Sequence, residues 1–183
     1  MKKKIIITGG LGYIGTELCK LYSGVSWHHK IIVIDNRFIS ERVNQIRNWN
    51  IEFIQGDILD KNLIKKFCED ADVVHHLAGV TDVPRTKSEI SLAQDKKIKE
   101  VGEKGTQNIL DVISNKCKII FPSTHVVYEG IDEVKKDIKE NEKTKPVLSY
   151  STSKAINEDQ LKKSGKNYVI LRLGSVYGYS TDS

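Results

Sequence analysis

The sequence predicts an α/β fold, a doubly wound parallel sheet with helices on both of its faces. Short runs rich in β-branched apolar residues alternate along the chain with longer amphipathic stretches. Strands that alternate with helices form right-handed βαβ units, and such units build a parallel sheet. The runs are apolar at successive positions rather than at every second one, which is typical of strands covered on both faces.

Six segments carry the strand pattern. In chain order they are KKIIIT (3–8), KIIVID (30–35), IEFIQG (51–56), ADVVHHLAG (71–79), CKIIFPS (117–123) and NYVILRL (167–173). Helical patterns are predicted near 12–22, 60–69, 88–114 and 149–164. The polar, lysine-rich segment 129–147 is predicted to be a surface loop.

The composition is that of an ordinary globular chain. Its 183 residues are enough for one domain with its own core. The net charge of +5 comes from scattered lysines rather than from a basic block, so we expect no nucleic-acid partner. The apolar run after MKKK ends at Ile7, too early for a signal sequence, and no run approaches the roughly 20 residues of a membrane span. We therefore expect a cytoplasmic protein without a membrane partner.

The cysteines indicate neither a disulfide nor a metal site. Cys19, Cys68 and Cys117 are far apart, odd in number and in no metal-ligand spacing. We expect three buried free thiols, because free cysteine behaves as a small apolar residue.

A glycine-rich turn lies between the first strand and the first helix. Gly9, Gly12 and Gly15 form G-x-x-G-x-x-G, in which the glycines permit the bend, the approach of a pyrophosphate and close packing of the helix. Simple turn chemistry is the alternative. Asp35 ends the second strand, 20 positions after Gly15, where a carboxylate accepts both hydroxyls of an adenosine ribose. Since a carboxylate repels a 2′-phosphate, NAD is predicted, and Arg37 keeps NADP as an alternative.

A second set of polar residues suggests acid–base chemistry. Tyr150 and Lys154 lie four residues apart at the start of a predicted helix, and so share one face. A nearby ammonium, together with the positive nicotinamide ring of a cofactor, favours the phenolate over the phenol. Ser123 and Thr124 lie at the carboxyl end of the fifth strand, where open α/β sheets bind ligands. A hydroxyl there could hold a substrate oxygen while Tyr150 moves its proton.

These motifs occur in the order found in a known family. The matching segments are TGGLGYIG (8–15), IDN (34–36), GDILD (56–60), HHLAG (75–79), GTQNIL (105–110), PSTHVVY (122–128), YSTSK (150–154) and LRLGSVYG (171–178). The chain resembles the extended short-chain dehydrogenase/reductases, the branch that holds UDP-glucose 4-epimerase-like epimerases and dehydratases. The resemblance implies a Rossmann NAD-binding domain over 1–173. Residues 174–183 would begin a C-terminal substrate lobe that is largely absent from the sequence.

The resemblance also implies roles for individual residues. The cofactor's pyrophosphate would lie at Gly9, Gly12, Gly15 and the backbone of Tyr13 and Ile14. The adenosine ribose would bind Asp35 and Asn36, the adenine would contact Asp57 and Ile58, and the cofactor channel would be lined by Leu77, Ala78 and Gly79. The catalytic residues would be Thr124, Tyr150 and Lys154, of which Tyr150 and Lys154 would also contact the cofactor.

The chain departs from the family pattern at several positions. His125 and Val126 stand where sugar-nucleotide 4,6-dehydratases typically carry Asp-Glu, which disfavours that reaction. Gly102 and Ser175 each replace a usual asparagine, which affects active-site support and substrate contact. A solvated or packed imidazole is expected at His125, although a catalytic one is the alternative. His75 and His76 are expected to be packed, hydrogen-bonded core residues.

The resemblance implies an NAD-dependent nucleotide-sugar epimerase. Tyr150 would remove a proton from a sugar hydroxyl while hydride passes to NAD, and the transient keto sugar would be reduced again on its other face. One alternative is a net NAD(P)-dependent oxidoreductase, such as a ketosugar reductase. The others are a sugar dehydratase of the same family and an NAD-binding fragment without catalysis.

A homodimer is the expected assembly. In similar proteins the helix predicted over 88–114 and the helix that bears Tyr150 pair across a two-fold axis. The apolar residues available in the first of these are Ile90, Leu92, Ile98, Val101, Ile109, Leu110 and Ile113. The alternative is that all of them pack on the sheet.

Overall fold

The computed structural model describes residues 2–81, 92–133 and 136–178. Within these ranges the strands are β1 (Lys4–Thr8), β2 (Lys30–Asp35), β3 (Glu52–Gln55), β4 (Val73–His76), β5 (Lys118–Thr124) and β6 (Asn167–Leu173). They form one sheet in the order β3-β2-β1-β4-β5-β6, and every neighbouring pair is parallel. The predicted doubly wound parallel sheet is therefore confirmed.

The α-helices of the described residues are α1 (Tyr13–Ser23), α2 (Ser40–Asn48), α3 (Lys61–Cys68), α4 (Leu92–Lys99), α5 (Gly105–Val112) and α6 (Ser149–Lys163). A single π-helical turn, Glu100–Lys104, joins α4 to α5. The helix predicted over 88–114 is thus one irregular run, and its residues 88–91 lie outside the described ranges. None of the described helices is long and apolar enough to cross a membrane.

Helix α2 is an element that the sequence pattern does not predict. Its only buried apolar residues are Val43 and Ile46, and it begins after Ile39, whose side chain makes no capping bond. Two apolar residues are too few to show a helical period. Val43 and Ile46 instead join the core beneath β2, so tertiary packing stabilises this helix more than local sequence does.

The sheet separates two apolar clusters, because successive side chains of a strand point to opposite faces. On one face Ile6 of β1 packs with residues of α3, α5 and α6, including Ile64, Ile109 and Leu161. On the other face Ile7 packs with α1 and α2.

All three cysteines are buried and free, as predicted, and burial raises the pKa of the Cys19 thiol to about 12. The described residues contain no group of three or more His, Cys, Asp or Glu that could hold a metal ion.

Strand β6 is more exposed than the central strands β1 and β2. Val169 is 36% exposed and Leu171 is 44% exposed, on the face that α1 and α2 cover beneath β1 and β2. Ile170, which points the other way, packs against the core. The expectation of strands covered on both faces is confirmed for β1 and β2 and is wrong for β6.

The apolar residues proposed for a dimer surface mostly pack inside one chain. Four of them are buried: Ile98, Ile109, Leu110 and Ile113. Val101 is partly buried against the same core. Ile90 and the side chain of Leu92 lie outside the described residues.

Candidate active site

The carboxyl edge of the sheet brings the predicted site residues together. Because the strands are parallel, their ends meet at one edge. The glycine turn follows β1, Asp35 is the last residue of β2, and Asp57 follows β3. Leu77 follows β4 and Thr124 is the last residue of β5.

Two of the three glycines in the turn leave no room for a side chain. Gly9 has a φ of +70°, and a Cβ there would lie 2.6 Å from the amide nitrogen of Ala78. A Cβ at Gly15 would overlap the carbonyl oxygen of Gly9. Helix α1 begins directly after Gly12, with no side-chain cap and no acidic residue in its first turn. Its first backbone N–H groups therefore have no partner within the helix, and the helix dipole favours negative charge beside them.

Asp35 is built into this turn. Its side chain is only 4% exposed, and Oδ2 accepts a hydrogen bond of 3.0 Å from the backbone N–H of Leu11. Oδ1 accepts from the backbone N–H of Arg37 at 3.0 Å and lies 3.4 Å from the Nε of that residue. The carboxylate is thus fixed beside the N-terminus of α1. The Arg37 side chain is half exposed and lies next to it.

The residues predicted to bind the adenosine also lie side by side. The Nδ2 of Asn36 is 3.3 Å from Oδ2 of Asp57, which links the ends of β2 and β3. Oδ1 of Asp57 accepts from the backbone N–H of Leu59 at 2.9 Å. Ile58 is buried, and its side chain packs in the core beneath Gly105. The Ile58 side chain is therefore not accessible for the predicted contact with adenine.

A buried chain of hydrogen bonds supports the segment after β4. His76 lies between the hydroxyls of Thr8, at 2.8 Å, and Thr106, at 3.0 Å. Thr8 also accepts from the backbone N–H of Ala78, which fixes Leu77–Gly79 beside the glycine turn. Burial, with a smaller effect of the Lys154 charge, lowers the pKa of His76 to about 3, so this imidazole is neutral. His75 is bonded to the Tyr22 hydroxyl at 2.8 Å. The predicted packing role of both histidines is confirmed.

Thr124 and Ser123 have different partners. The Ser123 hydroxyl donates to Oε1 of Glu158 at 2.7 Å in a buried contact. The Thr124 hydroxyl accepts from the backbone N–H of Val126 at 3.2 Å and caps the 3₁₀ turn His125–Tyr128. The proton of Thr124 is not used in that bond, which agrees with the choice of Thr124 over Ser123 as the predicted catalytic hydroxyl.

Tyr150 and Lys154 lie on the first two turns of α6. The Nζ of Lys154 donates to the carbonyl of Pro122 at 2.9 Å and lies 4.4 Å from the ring centre of Phe121. It is 5.9 Å from the ring centre of Tyr150. Burial lowers the pKa of Lys154 to about 8 and raises the pKa of Tyr150. The predicted phenolate depends on the charge of a bound nicotinamide ring as well as on Lys154, so it stays a prediction.

A buried ion pair beneath these residues escaped the sequence analysis. Glu158 is 1% exposed and receives a two-pronged contact from Arg172, with Nε at 2.9 Å and Nη2 at 2.6 Å. Nη1 of Arg172 also bonds the hydroxyl of Tyr128. The network ties α6 to β5 and β6. One signal for it was present, since Arg172 is the only charged residue in the strand NYVILRL.

The unusual residues Gly102 and His125 also have structural explanations. Gly102 lies in the π turn, where its carbonyl accepts from Nδ2 of Asn157 at 3.0 Å. A Cβ at Gly102 would collide with the hydroxyl of Ser153, so glycine lets α6 pack closely here. His125 is exposed, and its Nδ1 lies 3.1 Å from the carbonyl of Leu173, to which it donates. Ser175 is also exposed.

Comparisons with known proteins agree with this geometry. Residues 5–183 match the model of the NAD dependent epimerase/dehydratase family. The chain is 31% identical to a dTDP-D-glucose 4,6-dehydratase of Dictyostelium discoideum, over 96% of this chain and 44% of that protein. It is 30% identical to a putative UDP-glucose 4-epimerase of Methanocaldococcus jannaschii, over 97% of this chain and 57% of that protein. The chain therefore spans about half the length of these relatives.

Solved structures show the same fold. The UDP-glucuronic acid 4-epimerase of Bacillus cereus in complex with NAD matches with a TM-score of 0.78 and 26% identity, over 97% of this chain and 58% of that one. The UDP-glucose 4-epimerase of Brucella ovis in complex with NAD matches with a TM-score of 0.74 and 28% identity, over 93% and 51%.

Proposed function

The chain belongs to the NAD dependent epimerase/dehydratase family, and on that premise we propose that it binds NAD and epimerises a nucleotide sugar. The observation that carries this proposal is the carboxyl edge of the sheet. An uncapped helix N-terminus and the buried Asp35 lie on the same edge as Thr124 and the helix that bears Tyr150 and Lys154. Because the chain spans about half of its relatives' length, the activity of these residues by themselves is part of the proposal.

The site fits NAD on its own geometry. The pyrophosphate would bind the free N–H groups after Gly12, contributed by Tyr13 and Ile14. The Asp35 carboxylate would accept the adenosine ribose hydroxyls, and its fixed negative charge opposes the 2′-phosphate of NADP. The half-exposed Arg37 is the residue through which NADP would compete.

The protein's own residues supply the acid–base chemistry of the proposed reaction. The Thr124 hydroxyl would hold the reacting sugar oxygen, and Tyr150 would take the proton of that hydroxyl group. Lys154 would leave the Pro122 carbonyl to bind the cofactor's ribose and lower the pKa of Tyr150. Bound NAD would supply a reversible hydride acceptor. Tyr150 would then return its proton as the keto sugar is reduced on its other face, so no external reductant is consumed.

Product analysis tests this proposal against its alternatives. A form of the protein that turns over a nucleotide sugar is incubated with NAD, and the sugar product and the cofactor are both quantified. An inverted carbon with NAD unchanged supports the epimerase. Accumulation of NADH, or consumption of NADH in a parallel incubation that contains it, supports a net oxidoreductase instead. Loss of water from the sugar supports a dehydratase, which His125 and Val126 oppose because neither has a carboxyl group.

We also propose the homodimer and the cytoplasmic location expected from the sequence. Because Ile98, Ile109, Leu110 and Ile113 pack within one chain, pairing would use the exposed polar faces of α4 and α6. Sedimentation at tens of micromolar tests the dimer, since a modest interface pairs in roughly that range. Only monomer at that concentration would contradict it.

A further inference from the structure

Helix α6, which bears Tyr150 and Lys154, has no cap of its own. The residue at its N-cap position is Leu148, whose side chain makes no capping bond, and its first turn contains no acidic residue. Helices normally begin with Ser, Thr, Asp or Asn, because their first N–H groups have no partner within the helix. The start of α6 therefore depends on groups from elsewhere in the chain.

Glu129, 19 residues upstream of Leu148, supplies one acceptor at this position. Its Oε1 accepts from the backbone N–H of Val147 at 2.7 Å and from that of Leu148 at 2.7 Å. The buried hydroxyl of Ser151, in the first turn of α6, also bonds this oxygen. A carboxylate at a helix N-terminus is further favoured by the helix dipole.

The same residue is tied to the turn that starts at Thr124. The backbone N–H of Glu129 donates to the carbonyl of Val126 at 3.0 Å, which closes the 3₁₀ turn that Thr124 caps. The backbone of Lys145 pairs with this segment twice. Its N–H donates to the carbonyl of Val127 at 2.9 Å, and its carbonyl accepts from the N–H of Gly130 at 2.9 Å. Glu129 thus connects the turn that begins at Thr124 with the helix that begins one residue before Tyr150.

We propose that Glu129 is a positioning residue, which holds the first turn of α6 against the Thr124 turn so that Tyr150 and Lys154 face the cofactor. The inference rests on the proposed function, because it assumes that this helix contacts NAD. Partial burial raises the pKa of Glu129, but the hydrogen bonds from Ser151, Leu148 and Val147 lower it by more. The net pKa is below its usual value, so the carboxylate is ionised near neutral pH. Glu129 acts through the helix and has no contact with the reaction itself.

Two readouts on the whole 183-residue chain test this role. The variants are Glu129→Ala and Glu129→Gln, which keeps one acceptor oxygen, and the control is Glu133→Gln, an exposed carboxylate of the same loop. Amide hydrogen exchange is followed on a peptide that spans 147–153. We expect faster exchange there in Glu129→Ala, a smaller change in Glu129→Gln, and wild-type exchange in the control. Unchanged exchange in Glu129→Ala, or an increase spread evenly over the protein, overturns the proposal.

NAD affinity, measured by calorimetry, distinguishes positioning from stability alone. We expect Glu129→Ala to weaken NAD binding about fivefold, which corresponds to the ~1 kcal/mol of stability that loss of a helix cap typically costs. In a Lys154→Met background the same change should have less than a twofold effect, because the contact that Glu129 positions is already gone. An equal loss in both backgrounds overturns the proposal. If the wild-type chain does not bind NAD, the proposed function fails, and the exchange experiment alone decides whether Glu129 holds the helix.

Discussion

The glycine turn after β1 and the start of α6 hold the two ends of the candidate site by different means. The turn is shaped by backbone, since Gly9 and Gly15 leave no space for a side chain and α1 opens with free N–H groups. Helix α6 is held by side-chain contacts with distant segments, above all Glu129 at its start and the pair of Glu158 with Arg172 farther along the helix. A backbone-shaped site can be recognised from local spacing, whereas a side-chain-shaped site needs the folded structure.

The largest expected effect breaks the α6 end. In a form of the protein that turns over a nucleotide sugar, Tyr150→Phe should lower kcat by roughly 10²–10⁴-fold, because the proton-carrying hydroxyl is gone. NAD binding should survive, since the ring and the turn remain. Thr124→Val should be severe, and its control Thr124→Ser mild. Full activity in Tyr150→Phe would show that another residue is the base, and the exposed His125 would be the next candidate.

The next effect is on stability at the same end. Arg172→Met should lower the free energy of unfolding by about 3 kcal/mol, because it leaves the buried Glu158 charge with only the half-exposed Lys162 as an ion-pair partner. Chemical denaturation of the variant measures the loss. The double variant Glu158→Gln/Arg172→Met is the control and should recover part of it. A single variant as stable as the wild type would contradict a structural role for the pair.

The same pair predicts a pH dependence. Burial raises the pKa of Glu158, but hydrogen bonds from Arg172 and Ser123 outweigh it and hold the pKa below its usual value. A carboxyl whose folded pKa is depressed contributes stability above its unfolded pKa of about 4.3, and this contribution is lost as the pH falls through the lower folded value. The free energy of unfolding should therefore decrease as the pH is lowered from about 4.3, and this decrease should be less steep in Arg172→Met. Equal slopes would show that the pair does not cause the dependence.

A smaller effect is expected at the glycine turn. Gly15→Ala places a methyl group against the backbone of Gly9 and Gly10, and should lower the free energy of unfolding by about 1–3 kcal/mol. It should also weaken NAD binding, because the N-terminus of α1 must shift. Gly24→Ala is the matched control, since no atom lies within 4 Å of its added methyl group. Equal stability and NAD affinity in the two variants would show that the turn tolerates side chains.

The sequence predicted the strands well and the supports of the site poorly. β2 was predicted with its observed bounds, Lys30–Asp35, because a continuous apolar run that ends in a carboxylate is a local signal. Helix α2 was missed because tertiary packing of Val43 and Ile46 stabilises it. The roles of Glu129 and Glu158 depend on contacts between residues 14 to 35 positions apart, which no local pattern records. The rise that burial causes in the pKa of Tyr150 has no local signal either, since burial is a property of the fold.

Calorimetry of NAD and NADP with the wild-type chain and with Asp35→Ala tests the central claim most directly. We expect the wild type to bind NAD more tightly than NADP. Asp35→Ala should weaken NAD binding by roughly 1.5–3 kcal/mol, through the loss of charge-assisted hydrogen bonds to the ribose. The same variant should bind NAD and NADP with more similar affinities, because the charge that opposes the 2′-phosphate is gone and Arg37 remains. Tighter binding of NADP than of NAD by the wild type, or an Asp35→Ala variant that binds NAD unchanged, would contradict a cofactor site at the glycine turn and Asp35.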